Sequence, residues 1–380
     1  MIPSASPPGG GLPPVPGAVS VVILQWNRAD DTVRCLESLH RISYRPFNVI
    51  VVDNGSVPGE MDILRAWTQS RGLVDAGHNP WTAGSVVADG AGRGLPAIVL
   101  SANPHAGAPF SLTVIASASN LGFAAGNNRG IRSALQSHHP EFIWLLNNDT
   151  EATPDALGAL VRALQAHERT AAAAQSVLVN AQDTTLIDSL GIGISAKGST
   201  FDIGQGTLID RHAFLSANVP IEIFGACAAS ALFRAACLSS VGGFEEKYFA
   251  VFEDADLAFR LQLAGWRAVV VPGSVVYHRR GVSGARAKEG DSRRMRFLKL
   301  RNALMLKVRF WPFRLLMFRS HLLRVSAKVL LGSLRDQSVR QTALWLLSSA
   351  RLRAGTHAAR SAIFSRWAGT ACGNALPDDR

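Results

Sequence analysis

Short apolar runs alternating with segments of helical periodicity constrain the fold of this chain more than any other feature. Val19–Leu24 (VSVVIL), Asn48–Val52 (NVIVV), Ser111–Ala116 (SLTVIA) and Phe142–Leu146 (FIWLL) are five or six residues long and rich in Val, Ile and Leu, as strands buried on both faces are. Between them, Asp30–Leu39 and Ala124–Leu135 predict helices. Strand, helix, strand in repetition indicates an α/β fold with a mainly parallel central sheet covered by helices. Ligands in such folds gather beyond the carboxyl ends of the strands. Further on, Thr153 as N-cap, Pro154 at the first helical position and Asp155 at the positive end of the dipole predict a helix to His167. Ala174–Asn180, Ile221–Gly225 and Arg267–Val271 are strand candidates, and Asp254–Ala264 reads as a helix opened by acidic residues.

With 380 residues, 47% of them hydrophobic, the chain can build one α/β domain of roughly 250 residues plus an appendage. Met1–Gly17 is rich in Pro and Gly and lacks the basic start and apolar stretch of a secretory signal, which predicts a disordered lead-in over 1–18. The domain then runs over 19–285, and a basic helical region over 286–380. Inside the domain, 71–109 is a long glycine-rich insertion, either a lid or a tolerated excursion, and the second reading is preferred. Four cysteines without paired spacing give little support for disulfides or a zinc site and suit a reducing compartment.

The net charge of +11 belongs to one segment. Ser292–Arg335 carries twelve Lys and Arg and no Asp or Glu, leaving 39 − 12 = 27 basic against 28 acidic residues elsewhere. The basic residues are interleaved with Leu, Phe, Met and Trp, without an apolar run long enough to span a bilayer. Helices lying on an anionic lipid surface fit this pattern. A basic stripe also fits nucleic acid, but the bulky aliphatic content favours lipid. A solvated helical subdomain packed on the domain is the third reading.

Four stretches carry residues of chemical interest. Asp53 ends the second strand in VVDNGS, where its carboxylate can accept the imide N–H of uracil or thymine; an Asx turn explains it equally. Asn120–Gly130 (NLGFAAGNNRG) leads into a helix, and Gly122 and Gly126 permit close backbone approach to a phosphate, although a plain glycine-containing loop is the commoner explanation of such a stretch. Asn147, Asn148 and Asp149 close the fourth strand with the hard oxygen donors that Mg²⁺ or Mn²⁺ on a diphosphate requires, or serve the helix start. Glu253, Asp254 and Asp256 crowd a helix mouth, where like charges push pKa values apart and can poise one carboxylate as a base. His278 lies 278 − 254 = 24 residues beyond and could join a metal's ligand set, although a lone histidine is commonly structural. Arg279 and Arg280 beside it could meet phosphate or be surface charge.

In this order, VSVVILQWNR, VVDNGS, NLGFAAGNNRG, LLNNDT and GGFEEKYFAVFEDADLAFRLQLAGW ending in YH resemble the inverting glycosyltransferase family 2 enzymes of GT-A fold, in particular their rhamnosyltransferase-like branch. The resemblance covers residues 19–281. It implies a nucleotide diphosphate sugar donor, dTDP-rhamnose by the branch, and a glycan or polyprenyl-linked acceptor in bacterial surface polysaccharide synthesis. By the same resemblance Asp254 is the catalytic base, and Asp149 and His278 hold Mg²⁺ or Mn²⁺. Asp53 contacts the donor base, and Asn27, Asn120, Gly122, Phe123, Gly126, Asn127, Asn148 and Glu253 line the substrate site. The second half of the domain becomes the acceptor side, and the enzyme is expected on the inner face of the plasma membrane. Asn147 departs from the family by standing where many relatives have an aspartate. A nucleotidyltransferase is disfavoured because LQWNRADD follows the first strand in place of a glycine-rich, lysine-containing loop. A non-catalytic membrane scaffold is disfavoured by the presence of Asp149, Asp254 and His278.

Overall fold

The computed structural model describes residues 13–71, 85–88, 94–97, 100–102, 110–168, 170–195, 198–280, 289–311 and 357–368. Its N-terminal half alternates β1 (Val15–Gln25), α1 (Ala29–His40), β2 (Phe47–Asp53) and α2 (Glu60–Ser70). Three short strands follow, β3 (Ser85–Ala88), β4 (Gly94–Ala97) and β5 (Leu100–Ala102), before β6 (Ser111–Ala116), α3 (Gly122–Ser137) and β7 (Pro140–Asn147). The middle comprises β8 (Thr150–Ala152), α4 (Ala156–Ala166), β9 (Ala171–Asn180), β10 (Ile187–Ser189), β11 (Ile192–Ile194), β12 (Thr200–Asp202) and α5 (Ala213–Ala217). The last part holds β13 (Ile221–Ile223), β14 (Ser230–Arg234), α6 (Ala235–Val241), α7 (Glu253–Leu263), β15 (Arg267–His278), α8 (Glu289–Phe310) and α9 (His357–Trp367).

One large sheet runs β13-β15-β9-β14-β7-β1-β2-β6-β5. The four strands with continuous apolar sequence form its parallel part: β1 pairs in parallel with β2 and β7, and β2 with β6. The second half is mixed. β14 lies antiparallel between β7 and β9, while β15 and β9 run parallel. The mainly parallel expectation therefore holds on one side of β7 and gives way to a mixed sheet on the other. β14 escapes sequence detection because SALFR has no β-branched residue, and it is nonetheless buried along Ser230–Phe233.

Two local expectations need correction. β1 begins at Val15, whose N–H reaches the His139 carbonyl at 3.0 Å, so Val15–Ala18 of the anticipated disordered lead-in belong to a strand. Thr153 does not cap α4: its hydroxyl donates to the Val275 carbonyl at 3.0 Å, and Asp155 occupies the N-cap position. Helix α3 sits tightly on the sheet. A Cβ on Gly126 would come within 2.4 Å of Leu24, and one on Gly130 within 2.4 Å of Val22. Cys35, Cys227 and Cys237 are buried free thiols, and Cys372 lies outside the described residues. Within the 71–109 insertion, β3 and β4 form a hairpin and β5 extends the sheet at β6; the rest lies outside the described residues.

The basic segment divides. In α8 and just after it, Leu298, Leu304, Met305, Leu306, Phe310 and Trp311 are buried, and four of them join the core that contains β1 and β7. Phe310 stacks on Phe259 of α7 at 4.6 Å, and α9 adds Phe364 and Trp367 to the same aromatic group. For this part the apolar side faces protein, not lipid. Residues 312–356 lie outside the described residues. No helix among the described residues is long and apolar enough to cross a membrane.

Because Trp311 is 1% exposed, Trp311→Ala should cost about 3–5 kcal/mol of stability, measurable as a lower urea midpoint. A midpoint unchanged from wild type would mean that this end of the segment is not part of the core.

Candidate active site

Strand register brings the sequence-predicted residues to one edge of the sheet. β1 pairs Gln25 with Asp53 on one side and Leu24 with Asn147 on the other. Asp53 and Asn147 therefore end strands two spacings apart, about 10 Å. The β8 strand then turns back against β15, pairing Thr150 with His278. That register places His278 Nε2 3.2 Å from Asp149 Oδ1.

His278 is 5% exposed, and its Nδ1 meets Asp188 Oδ2 at 2.7 Å. Arg280 bridges the next two acids, with Nε 2.8 Å from Asp188 and Nη1 2.8 Å from Asp202. The negative charge of Asp202 is in turn felt at Asp254. A second route links the same groups. The Ala228 backbone lowers the Asp254 pKa, and the Asn147 N–H donates to the neighbouring Ala229 carbonyl at 3.0 Å. Asp149 and His278 thus meet directly, and Asp254 is linked to them through Asp202, Arg280 and Asp188, although the three lie far apart in sequence.

The electrostatics separate their roles. Burial, the largest influence, raises the Asp149 pKa, but the hydrogen bond and charge of His278 outweigh it and hold the carboxyl below its usual range. For His278, burial pulls downward while hydrogen bonds and charges from Asp149 and Asp188 push it up to about 9. Asp254, half-buried at the start of α7, is raised to about 6, first by desolvation and then by Asp202. Glu253 is driven well above its usual value, first by burial and then by the Asp254 charge, and its buried Oε2 has no hydrogen-bond partner in the protein. Asp256, the third acid, is fully buried and structural: Arg260 and Arg309 both pair with it.

Asp149 and His278 offer donors of the right kind for a divalent cation, a carboxylate held ionised and an imidazole oriented through Nδ1 by Asp188, whose Nε2 would release its proton on binding. Among the described residues no group of three or more His, Cys, Asp or Glu is arranged to hold a metal. The remaining coordination positions would fall to ligand oxygens.

The other expected site residues distribute as follows. Asp53 accepts from Gln25 Nε2 at 3.2 Å and from the Ser56 hydroxyl, so an Asx-type turn is present at this carboxylate. Asn27 (φ 54°) closes the same turn by accepting from the Val57 N–H at 2.7 Å. Asn120 Oδ1 accepts from the Gly122 N–H at 2.8 Å and from Asn54. Gly122 (φ 85°) has no room for a Cβ beside Phe249, and Gly126 is committed to Leu24. Their glycines serve packing in this structure. Asn127 donates to the Phe123 carbonyl, and Phe123 packs edge-on to Phe244. Asn148 turns toward α1, donating to the Arg28 carbonyl and Thr32 hydroxyl. Arg279 pairs with Glu151. Asp188 and Asp202 were not signalled in the sequence, since neither belongs to a motif and only the folded chain sets them beside His278 and Arg280.

Raising the His278 pKa above its usual 6.5 stabilises the fold fully below about pH 6.5, and this contribution is lost as pH rises through about 9. Chelator-treated protein should therefore show a falling thermal midpoint across that window, and His278→Gln should flatten the slope. A wild-type slope retained in His278→Gln would refute the buried pairing.

Comparison with known proteins agrees with this geometry. The family description "Glycosyltransferase like family 2" matches residues 103–297, just over half of the chain, and "Glycosyl transferase family 2" matches residues 20–85. The N-acetylglucosaminyl-diphospho-decaprenol L-rhamnosyltransferase of Mycobacterium tuberculosis (strain CDC 1551 / Oshkosh) is 24% identical over 283 residues, covering 70% of this chain and 77% of that one. The crystal structure of GalNAc-T7 with UDP, GalNAc and Mn²⁺ superposes with a TM-score of 0.53 at 12% identity, over 78% of this chain and 48% of that one. This chain thus spans about half the length of that neighbour, whose likeness concerns the fold. A sheet of this topology ending in an acidic strand terminus, together with the family match over both halves of the domain, identifies the chain as a glycosyltransferase of family 2 with the GT-A fold.

Proposed function

We propose that this protein is an inverting, metal-dependent glycosyltransferase that moves a sugar, rhamnose from dTDP-rhamnose by its family branch, onto a hydroxyl of a lipid-linked glycan. The observation that carries the reading is the direct Asp149–His278 contact and the chain of charges, through Asp188, Arg280 and Asp202, that links it to Asp254. The mycobacterial relative, whose name specifies N-acetylglucosaminyl-diphospho-decaprenol, supports the acceptor class. The Mn²⁺ of the structural neighbour supports the metal.

In this reading Asp149 and His278 hold Mg²⁺ or Mn²⁺, which would neutralise charge on the departing nucleoside diphosphate. Asp53 receives the imide edge of the base, and Asn27, Asn120, Gly122, Phe123, Gly126, Asn127 and Asn148 shape the donor side. Asp254 takes the proton of the acceptor hydroxyl as its oxygen attacks the anomeric carbon from the face opposite the leaving group, inverting that centre. Glu253, with one buried oxygen unpartnered, receives a substrate hydroxyl. The basic residues beyond Trp311 hold the enzyme at the anionic surface where a polyprenyl acceptor resides, on the inner face of the plasma membrane.

Removing the base should be severe: Asp254→Asn should lower turnover by about 10²- to 10⁴-fold while leaving nucleotide binding intact. In wild type, kcat should rise with pH through about 6, the value at which Asp254 ionises, and Asp202→Asn should move that limb to lower pH. A panel of nucleotide sugars, scored by thermal shift with and without Mg²⁺ or Mn²⁺, identifies the donor; stabilisation by no member of it would count against the whole reading. For the surface, flotation with anionic liposomes should carry wild-type protein, and replacing Arg314, Arg319, Arg324 and Lys328 with Ser should abolish it. Equal flotation would discard the membrane role.

A further inference from the structure

The loop Tyr248–Phe252 leads directly into α7 and so sets where Glu253 and Asp254 stand. Three of its non-glycine residues have left-handed backbone: Phe249 (φ 64°), Val251 (φ 66°) and Phe252 (φ 72°). Side-chain-bearing residues keep such conformations only where the surrounding structure over-determines them.

The constraint comes mainly from the basic helix α8. Asn302 is fully buried, and its Nδ2 faces three carbonyls of the loop: Tyr248 at 2.9 Å, Ala250 at 2.8 Å and Val251 at 2.8 Å. The amide is oriented by Arg301, whose Nε donates to Asn302 Oδ1 at 2.9 Å, leaving only the NH₂ group to face the loop. Arg301 Nη2 then donates to the carbonyls of Lys247 at 2.7 Å and Tyr248 at 2.9 Å. From the opposite side, the Ala124 N–H at the start of α3 donates to the Phe249 carbonyl at 3.1 Å. Neither Arg301 nor Asn302 lies among the motifs that suggest donor, metal or base.

We propose that Asn302, oriented by Arg301, is a positioning residue for sugar transfer: it pins the left-handed Tyr248–Phe252 loop and so holds Asp254 in line with the acceptor hydroxyl. The proposal rests on Asp254 being the base. An asparagine suits the task because its amide supplies donors to carbonyl oxygens while its own oxygen is satisfied within α8. An aspartate of the same shape would set oxygen against oxygen and release the loop.

The test uses the full chain, with Asn302→Asp, Arg301→Ala, Asp254→Asn and, as control, Lys299→Ala, whose side chain is exposed on the same helix. Turnover is measured per folded molecule as nucleoside diphosphate released from the sugar nucleotide selected by thermal shift. Binding of UDP and dTDP with Mn²⁺ is measured by titration calorimetry. Misplacing the base by about 1 Å should cost about a hundredfold in kcat, so Asn302→Asp is expected near that loss and Arg301→Ala near tenfold. In both, diphosphate affinity should stay within about twofold, and Lys299→Ala should match wild type, a division that general destabilisation would not produce. If Asn302→Asp fails to fold, Arg301→Ala decides. Wild-type kcat in the folded variants beside an inactive Asp254→Asn would overturn the positioning role, whereas full turnover in Asp254→Asn would overturn the base assignment itself.

Discussion

A buried imidazole held between two carboxylates organises this site. His278 reaches Asp149 with one nitrogen, where β8 folds back on β15, and Asp188 with the other, where β10 pairs with β9 beside β15. A slip of one residue in β15 would turn His278 to the opposite face of the strand, taking the imidazole from Asp149 and leaving Asp188 with Arg280 alone. From Asp188 the charges continue through Arg280 to Asp202 and the neighbourhood of Asp254. Asp149 and Asp254 are therefore joined by one chain of alternating charges.

The same carboxyl type does three jobs because its surroundings differ. Asp149 is kept ionised by a neighbouring imidazole, Asp256 is paired with two guanidinium groups, and Asp254 meets the charge of Asp202 and backbone N–H groups. Desolvation and that charge raise Asp254 to about 6, a value suited to accepting a proton near neutrality.

Much of this was legible in the sequence where local rules suffice. The parallel strands announce themselves because a strand buried on both faces has to be apolar throughout, and Asp53 and Asp149 follow from the strand ends. β14 was hidden because alanine and leucine favour helix and a single phenylalanine is too little signal in so short a run, and the alanines of Ala171–Ala174 favour helix until neighbouring strands close around them. Asp188 and Asp202 could not be found, since their meaning lies in a meeting of segments. The basic segment shows the limit most plainly. Its composition suggested a surface facing lipid, yet Asn302, Arg301 and Arg309 turn their donors inward to carbonyls and to Asp256. Sequence records charge but not the direction in which a side chain points.

The left-handed residues Phe249, Val251 and Phe252 have a bearing on how this enzyme can evolve. Each such conformation costs about 1–3 kcal/mol in a residue with a side chain, so glycine at these sites would relieve the backbone at once. A lineage selected for heat resistance alone would drift toward glycine there and trade away the rigidity that the bulky residues confer. Large side chains in so unfavourable a backbone mark a place where this chain gives up stability for geometry.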